Sequence, residues 1–155
     1  MNNKKIHTID AVRDADKLIE ILSSGAIFPL IVTGSSMRPF LKEGIDTIRL
    51  QKADKLYKGQ IVFFRRITGE FTLHRIRKIY PDGKLLINGD AQDWCEVIYP
   101  DQVIAAVISI SRNDRNINPN SFAQCLLRTI WYPTRALRPL IWKMLFSIQQ
   151  IFKKQ

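Results

Sequence analysis

The chain has 155 residues, 46% of them hydrophobic and 25% charged, with a formal net charge of +10, which gives one domain with a core of its own and excludes disorder through its middle. Cys95 and Cys125 stand far apart with no Cys-x-x-Cys pair, and His7 and His74 are the only histidines. That usage excludes a metal knuckle and a disulfide framework, so no metal and no cofactor are expected.

The first residues, Met1 to Lys5, are basic, but Asp10, Arg13, Asp14, Asp16 and Lys17 follow where an export signal needs an apolar run. Neither a signal peptide nor an N-terminal membrane span is expected. Val12, Ala15, Leu18, Ile19 and Leu22 recur at helical spacing with acids early and Gly25 as a stop, which predicts an amphipathic helix over 9–24. His7, ahead of it, reads as a solvated tail residue. Ala26 to Val32 is apolar and β-branched and predicts a strand, with Pro29 favouring its start or a sheet edge.

Directly after that strand comes Thr33-Gly-Ser-Ser-Met-Arg-Pro-Phe-Leu41. Gly34 permits a sharp turn and the close approach of a substrate backbone, and Pro39 fixes the exit, so Ser36 is held out of the core. Taken alone, Gly-Ser-Ser is more often a polar connection than a nucleophile.

Short apolar runs then predict strands over 45–50, 60–66, 70–80, 84–88 and 103–111, with tight connections at Thr68-Gly69 and Pro81-Asp82-Gly83. The pattern is that of a small, coiled, mixed or antiparallel sheet. On the third of these runs, 70–80, alternation sets His74 and Ile76 on one side and Leu73, Arg75 and Arg77 on the other. Burial of His74 favours the neutral imidazole that a general base requires.

Asn113 to Asn120 is polar and turn-rich and reads as a linker. Residues 121–155 carry six lysines and arginines and no acid, leaving +4 of the net charge to residues 1–120. Pro133 and Pro139 interrupt the tail, and the stretch Leu140 to Phe152 is too short and too polar to cross a bilayer of about 30 Å. Basic residues mixed with Trp and Phe fit a segment lying on an anionic membrane surface; packing on the β domain or on a partner protein is the competing reading, and nucleic acid ranks last. The domain reading is therefore an N-terminal tail and helix over 1–25, a β domain over 26–112, a linker over 113–120 and a basic amphipathic tail over 121–155.

Ser36-Met37-Arg38-Pro39 resembles the Ser-Met-x-Pro nucleophile box of the signal peptidase I and LexA-like serine peptidases. Four further blocks follow in the same order: Gly44-Ile45-Asp46-Thr47-Ile48, Lys58-Gly59-Gln60-Ile61-Val62-Phe63-Phe64, Leu73-His74-Arg75-Ile76 and Asn88-Gly89-Asp90-Ala91-Gln92. The resemblance implies a mainly β, coiled-sheet domain of signal-peptidase/LexA type, here with an N-terminal amphipathic helix and C-terminal basic amphipathic helices. It implies a serine endopeptidase cleaving a signal, leader or precursor peptide. His74 stands where the bacterial branches have a lysine base, which is similar to the histidine-using branch and implies a Ser-His-acid arrangement of Ser36, His74 and a carboxylate. Asp90 is the first choice for that carboxylate, Glu96 lies at the six-residue spacing of a second family acid, and Asp93 is a third. Asp90 capping its own turn is the competing structural role.

Two positions depart from the pattern. Gly34 replaces the hydroxyl residue that signal peptidases carry two positions before the nucleophile, as it does in the repressor-like branch, leaving oxyanion stabilisation chiefly to the Ser36 N–H, with Ser35 unassigned. Gln60 replaces the usual aspartate of the Gly-Asp-Ile-Val strand. Met37 and Phe40 either shape the peptide groove or belong to the core, and the substrate is expected to lie extended along a strand edge. The competing functions are a non-catalytic peptide-binding or membrane-associated adaptor, and a LexA-like self-cleaving regulator, which 35 residues before Ser36 and no Ala-Gly pair among them disfavour. The expected location is cytoplasmic and peripheral to the membrane.

Overall fold

A computed structural model describes residues 15–137, 139–140 and 143–144. Helix α1, Ala15–Ser23, turns Leu18 and Leu22 fully inward, one helical turn apart, and ends where Gly25 takes a φ of +81°. Residues 9–14 of the expected helix, and His7, lie outside the described residues.

The strands are β1 Phe28–Ile31, β2 Thr47–Gln51, β3 Ile61–Arg65, β4 Phe71–Ile79, β5 Leu85–Asn88, β6 Glu96–Ile98, β7 Val103–Arg112 and β8 Arg115–Ile117. They form one sheet in the order β1-β2-β7-β3-β4-β5-β6, with β8 paired to β7. Every pairing is antiparallel, which resolves the mixed-or-antiparallel expectation. Long β7 organises the middle: its outer half pairs with β2 and β8, its inner half with β3. Register shifts at Arg49/Leu50, Phe63/Phe64 and Ile76/Lys78 bulge the ladders and increase the twist, which coils the sheet.

Two strands were not anticipated. β6 and β8 have three residues each, too few for alternation to register. β8 also lies inside the stretch read as a linker. Asn113 and Asp114, at φ of 48° and 61°, make a two-residue hairpin turn, so the sheet runs on to Ile117.

Alternation along β3 sends its residues into two cores. Ile61 and Phe63 join Leu18, Leu22, Met37, Leu41 and Ile48 on one face; Val62 and Phe64 join Ile76, Leu85, Ile87 and Ile98 on the other. Helix α2, Phe122–Trp131, and the 3-10 turn Tyr132–Leu137 come back to the sheet. The Trp131 indole donates to the carbonyl of Asp90, the Arg77 guanidinium lies 3.3 Å from the centre of the Tyr132 ring, and Asn120 Nδ2 donates to the Tyr57 hydroxyl at 2.7 Å.

Candidate active site

β1 is an edge strand, and it runs directly into the turn that carries Ser36. Gly34 takes a φ of +79°, a conformation that costs other residues strain, and its N–H donates to Glu43 Oε1 at 2.9 Å. Met37 and Leu41 anchor the following residues in the core, and Phe40 is buried beneath the Arg75 guanidinium, 5.2 Å from its ring centre. Of the two readings of Met37 and Phe40, the core describes both. The Arg38-Pro39 peptide is cis. Ser36 itself is half-buried, and its N–H meets no acceptor among the described residues. A pocket of about 300 Å³ adjoins this segment, lined by Arg38, Pro39, Lys42, Glu43 and Ile45.

The Ser36 carbonyl is fixed from across the sheet. It accepts the N–H of Ala91 at 2.8 Å, in the connection between β5 and β6. Gly89 opens that connection, and a Cβ there would stand 2.8 Å from the Ser36 oxygen; no side chain is compatible with this approach. Asn88, fully buried, donates through Nδ2 to the carbonyls of Gln92 and Trp94 and closes the connection into a tight turn. The same connection therefore carries the docked Ser36 carbonyl at one end and Glu96 at the other.

His74 is 1% exposed on β4. Its ring packs against Phe64 on one side and the edge of Trp94 on the other, each 5.9 Å between centroids. Nδ1 is hydrogen-bonded to Glu96 Oε1 at 3.0 Å. Glu96 is in turn clamped by Arg66, whose Nε and Nη2 donate to its two oxygens at 3.0 and 2.8 Å. Register explains the meeting: Val62 faces His74 and Ile87 faces Glu96, and these side chains share the second core face. Burial, the largest influence, pushes the imidazole down to about 4; the Glu96 charge works against it and the Arg66 charge with it. The ring is therefore neutral at pH 7. With Nδ1 occupied by a carboxylate, the proton sits on that nitrogen and Nε2 carries the lone pair, the tautomer a general base needs.

Asp90, placed first among the acids from the sequence, makes its side-chain hydrogen bonds elsewhere. Both its oxygens receive the Arg75 guanidinium, at 2.7 to 3.1 Å, and neither residue is more than 1% exposed. Arg75 spends its remaining arm on the carbonyl of Gly59 at 2.9 Å. Asp93 is exposed. Of the candidate acids, Glu96 is the one brought to His74. No hydrogen bond joins Ser36 Oγ to His74 among the described residues. Gln60, the departure from the family aspartate, is buried and turns its Oε1 to the N–H of Tyr57 at 3.3 Å, closing its own turn.

Sequence reasoning assigned no role in the site to Arg66, Arg75, Trp94 or Trp131. A cue existed for Arg75: an arginine adjoining His74 in the middle of a strand, where its side chain is buried, needs an acid of its own. No comparable cue marked Arg66, which reaches Glu96 across 30 positions of sequence, or Trp131.

A coiled antiparallel sheet that presents a serine on a glycine-led turn, with a buried histidine on β4 bonded to a partly exposed carboxylate on β6, is the architecture of a serine peptidase-like domain. Residues 4–108 match the family model described as Peptidase S24-like, and the chain belongs to that family, within the LexA-type serine peptidase-like superfamily. Comparison with curated proteins finds no match.

Proposed function

We propose that the chain is a serine endopeptidase of signal-peptidase type that cleaves a signal, leader or precursor peptide. The observation that carries the reading is the Arg66–Glu96–His74 relay, which runs from two partly exposed side chains to a buried one: a neutral imidazole, its tautomer fixed, on a strand beside the turn to which Ser36 is docked. Ser36 Oγ attacks the scissile carbonyl while His74 Nε2 takes its proton, and the Ser36 N–H holds the oxyanion. The imidazolium, stabilised by Glu96, returns the proton to the leaving amine. Water activated by the same nitrogen then resolves the acyl-enzyme. The free edge of β1 supports an extended peptide running toward Ser36.

Cleavage mapping by mass spectrometry tests this, using a pool of signal and leader peptides with wild type, Ser36→Ala and His74→Ala. Cuts that vanish in both variants, with all three proteins folded, are expected. Complete absence of variant-sensitive cuts refutes the reading in favour of a peptide-binding adaptor. Membership of the LexA-type superfamily favours a second reading, cleavage of the chain itself, and Ser36-dependent fragments of the protein would appear in the same spectra.

A further inference from the structure

We infer that the outward face of α2 and of the segment after it is a docking surface for an anionic lipid bilayer. Leu126, Leu127 and Ile130 lie together on one side of α2, and Leu137, Leu140 and Met144 follow; each of the six is at least 50% exposed. At the end of the helix the chain is tied to the sheet, where Trp131 and Tyr132 meet the Asp90 carbonyl and Arg77. So many exposed aliphatic side chains close together, while Trp131 and Tyr132 are engaged with the sheet, form an apolar strip without a protein partner among the described residues.

Charge selects the occupant. Residues 121–155 contain six basic residues and no acid. A second copy laid on this strip would bring two sets of like charges together. Nucleic acid would satisfy the charge and leave the aliphatic strip in water. A bilayer with anionic headgroups satisfies both, with acyl chains for the leucines and phosphates for the lysines and arginines. No helix among the described residues is long and apolar enough to cross a membrane, so the geometry is that of a segment lying in the interface. Because Trp131 grips the turn that holds the Ser36 carbonyl, docking carries that turn to the lipid surface; this consequence rests on the peptidase reading, whereas docking itself does not.

Co-sedimentation of the full chain with vesicles tests the inference, using phosphatidylcholine alone and phosphatidylcholine mixed with phosphatidylglycerol. Wild type and Ser36→Ala are expected to pellet equally with the mixed vesicles, to stay soluble with phosphatidylcholine alone, and to be released by salt. Leu126→Ser/Ile130→Ser, at exposed positions and checked for an unchanged melting temperature, is expected to bind about 10-fold more weakly or worse. Wild type left in the supernatant with both vesicles overturns the inference. Equal pelleting with phosphatidylcholine alone overturns the anionic assignment. Self-association in sedimentation velocity that the double variant abolishes, without vesicle binding, overturns it in favour of a second copy. Since Ser36→Ala is expected to bind as wild type does, failure of docking and failure of the peptidase reading are separable.

Discussion

Gly89→Ala isolates the contact that positions Ser36, the proposed nucleophile. The new methyl carbon would stand 2.5 Å from Gln92 Oε1 and 2.8 Å from the Ser36 carbonyl oxygen. Gln92 can swing aside at the cost of the Gly89 N–H bond it accepts at 3.3 Å. The Ser36 oxygen cannot, because it is backbone and is already held by Ala91. An ordinary contact needs 3.4 Å or more, so the Ser36 turn must retreat by about half an ångström. With roughly 100-fold lost per ångström of misplacement, kcat is expected to fall about 10-fold. Overpacking of this kind costs about 1–3 kcal/mol of stability. The assay is steady-state cleavage of a peptide taken from the mapped pool, alongside denaturant unfolding. A variant that loses stability yet keeps the wild-type kcat would refute the claim that the 89–91 turn positions Ser36.

The remaining predictions divide the site by role. Glu96→Gln removes the anion that faces the imidazolium and is expected to lower kcat by roughly 100- to 10,000-fold, with thermal unfolding showing a folded protein. Asp90→Asn strands the buried Arg75 charge and is expected to cost about 3–5 kcal/mol in denaturant unfolding; the reverse partition, Asp90 in rate and Glu96 in stability, would exchange the two assignments. The rate as a function of pH should show an acid limb with a midpoint near 4 rather than at the ordinary histidine value of 6.5. The same residue links stability to pH. Because the folded value lies below the unfolded one, the unfolded chain takes up the proton first, so the His74 contribution is full above pH 6.5 and is lost as pH falls through 4. The loss is about 3 kcal/mol and should be smaller in His74→Gln when unfolding curves at the two ends of that window are compared. Trp131→Phe keeps an aromatic ring but deletes the donor to the Asp90 carbonyl, and should cost about 1 kcal/mol and several-fold in kcat with KM held; kcat and stability both at wild-type level would show that α2 does not brace the turn.

The strands that were legible are those long enough to carry a period. Ile61–Arg65 opens on four apolar residues and Phe71–Ile79 runs for nine residues with Phe71, Leu73, Ile76 and Ile79 spread along it, and both appear within a residue or so of the expected bounds. Three-residue β6 and β8 could not announce themselves, and β6 is the strand that carries Glu96. Its absence from the sequence reading is why the acids were ranked wrongly for contact with His74: Asp90 sits in a recognisable motif, whereas the position of Glu96 depends on a register set by pairing with Ile87. The Ser36 turn was legible through Gly34 and Pro39, but its docking on Ala91 depends on contacts more than 50 residues distant, which no local pattern records.

One physical constraint, applied to the sequence, would have narrowed the choice. His74 and Arg75 are consecutive on a strand, so their side chains leave opposite faces of the sheet. Both faces are apolar cores, and a buried guanidinium requires its own anion. A single carboxylate cannot serve the two faces at once. The strand therefore calls for two acids, one on each side: Asp90, with both oxygens, goes to the permanent charge of Arg75, and Glu96 is left for the imidazole, whose charge is transient. Arg66 completes the division, since a carboxylate facing a neutral ring through the resting state needs a cation of its own, and its Nε and Nη2 supply one. The arrangement pairs each permanent charge in the site before substrate arrives, leaving the imidazole as the group that changes charge during the proposed reaction.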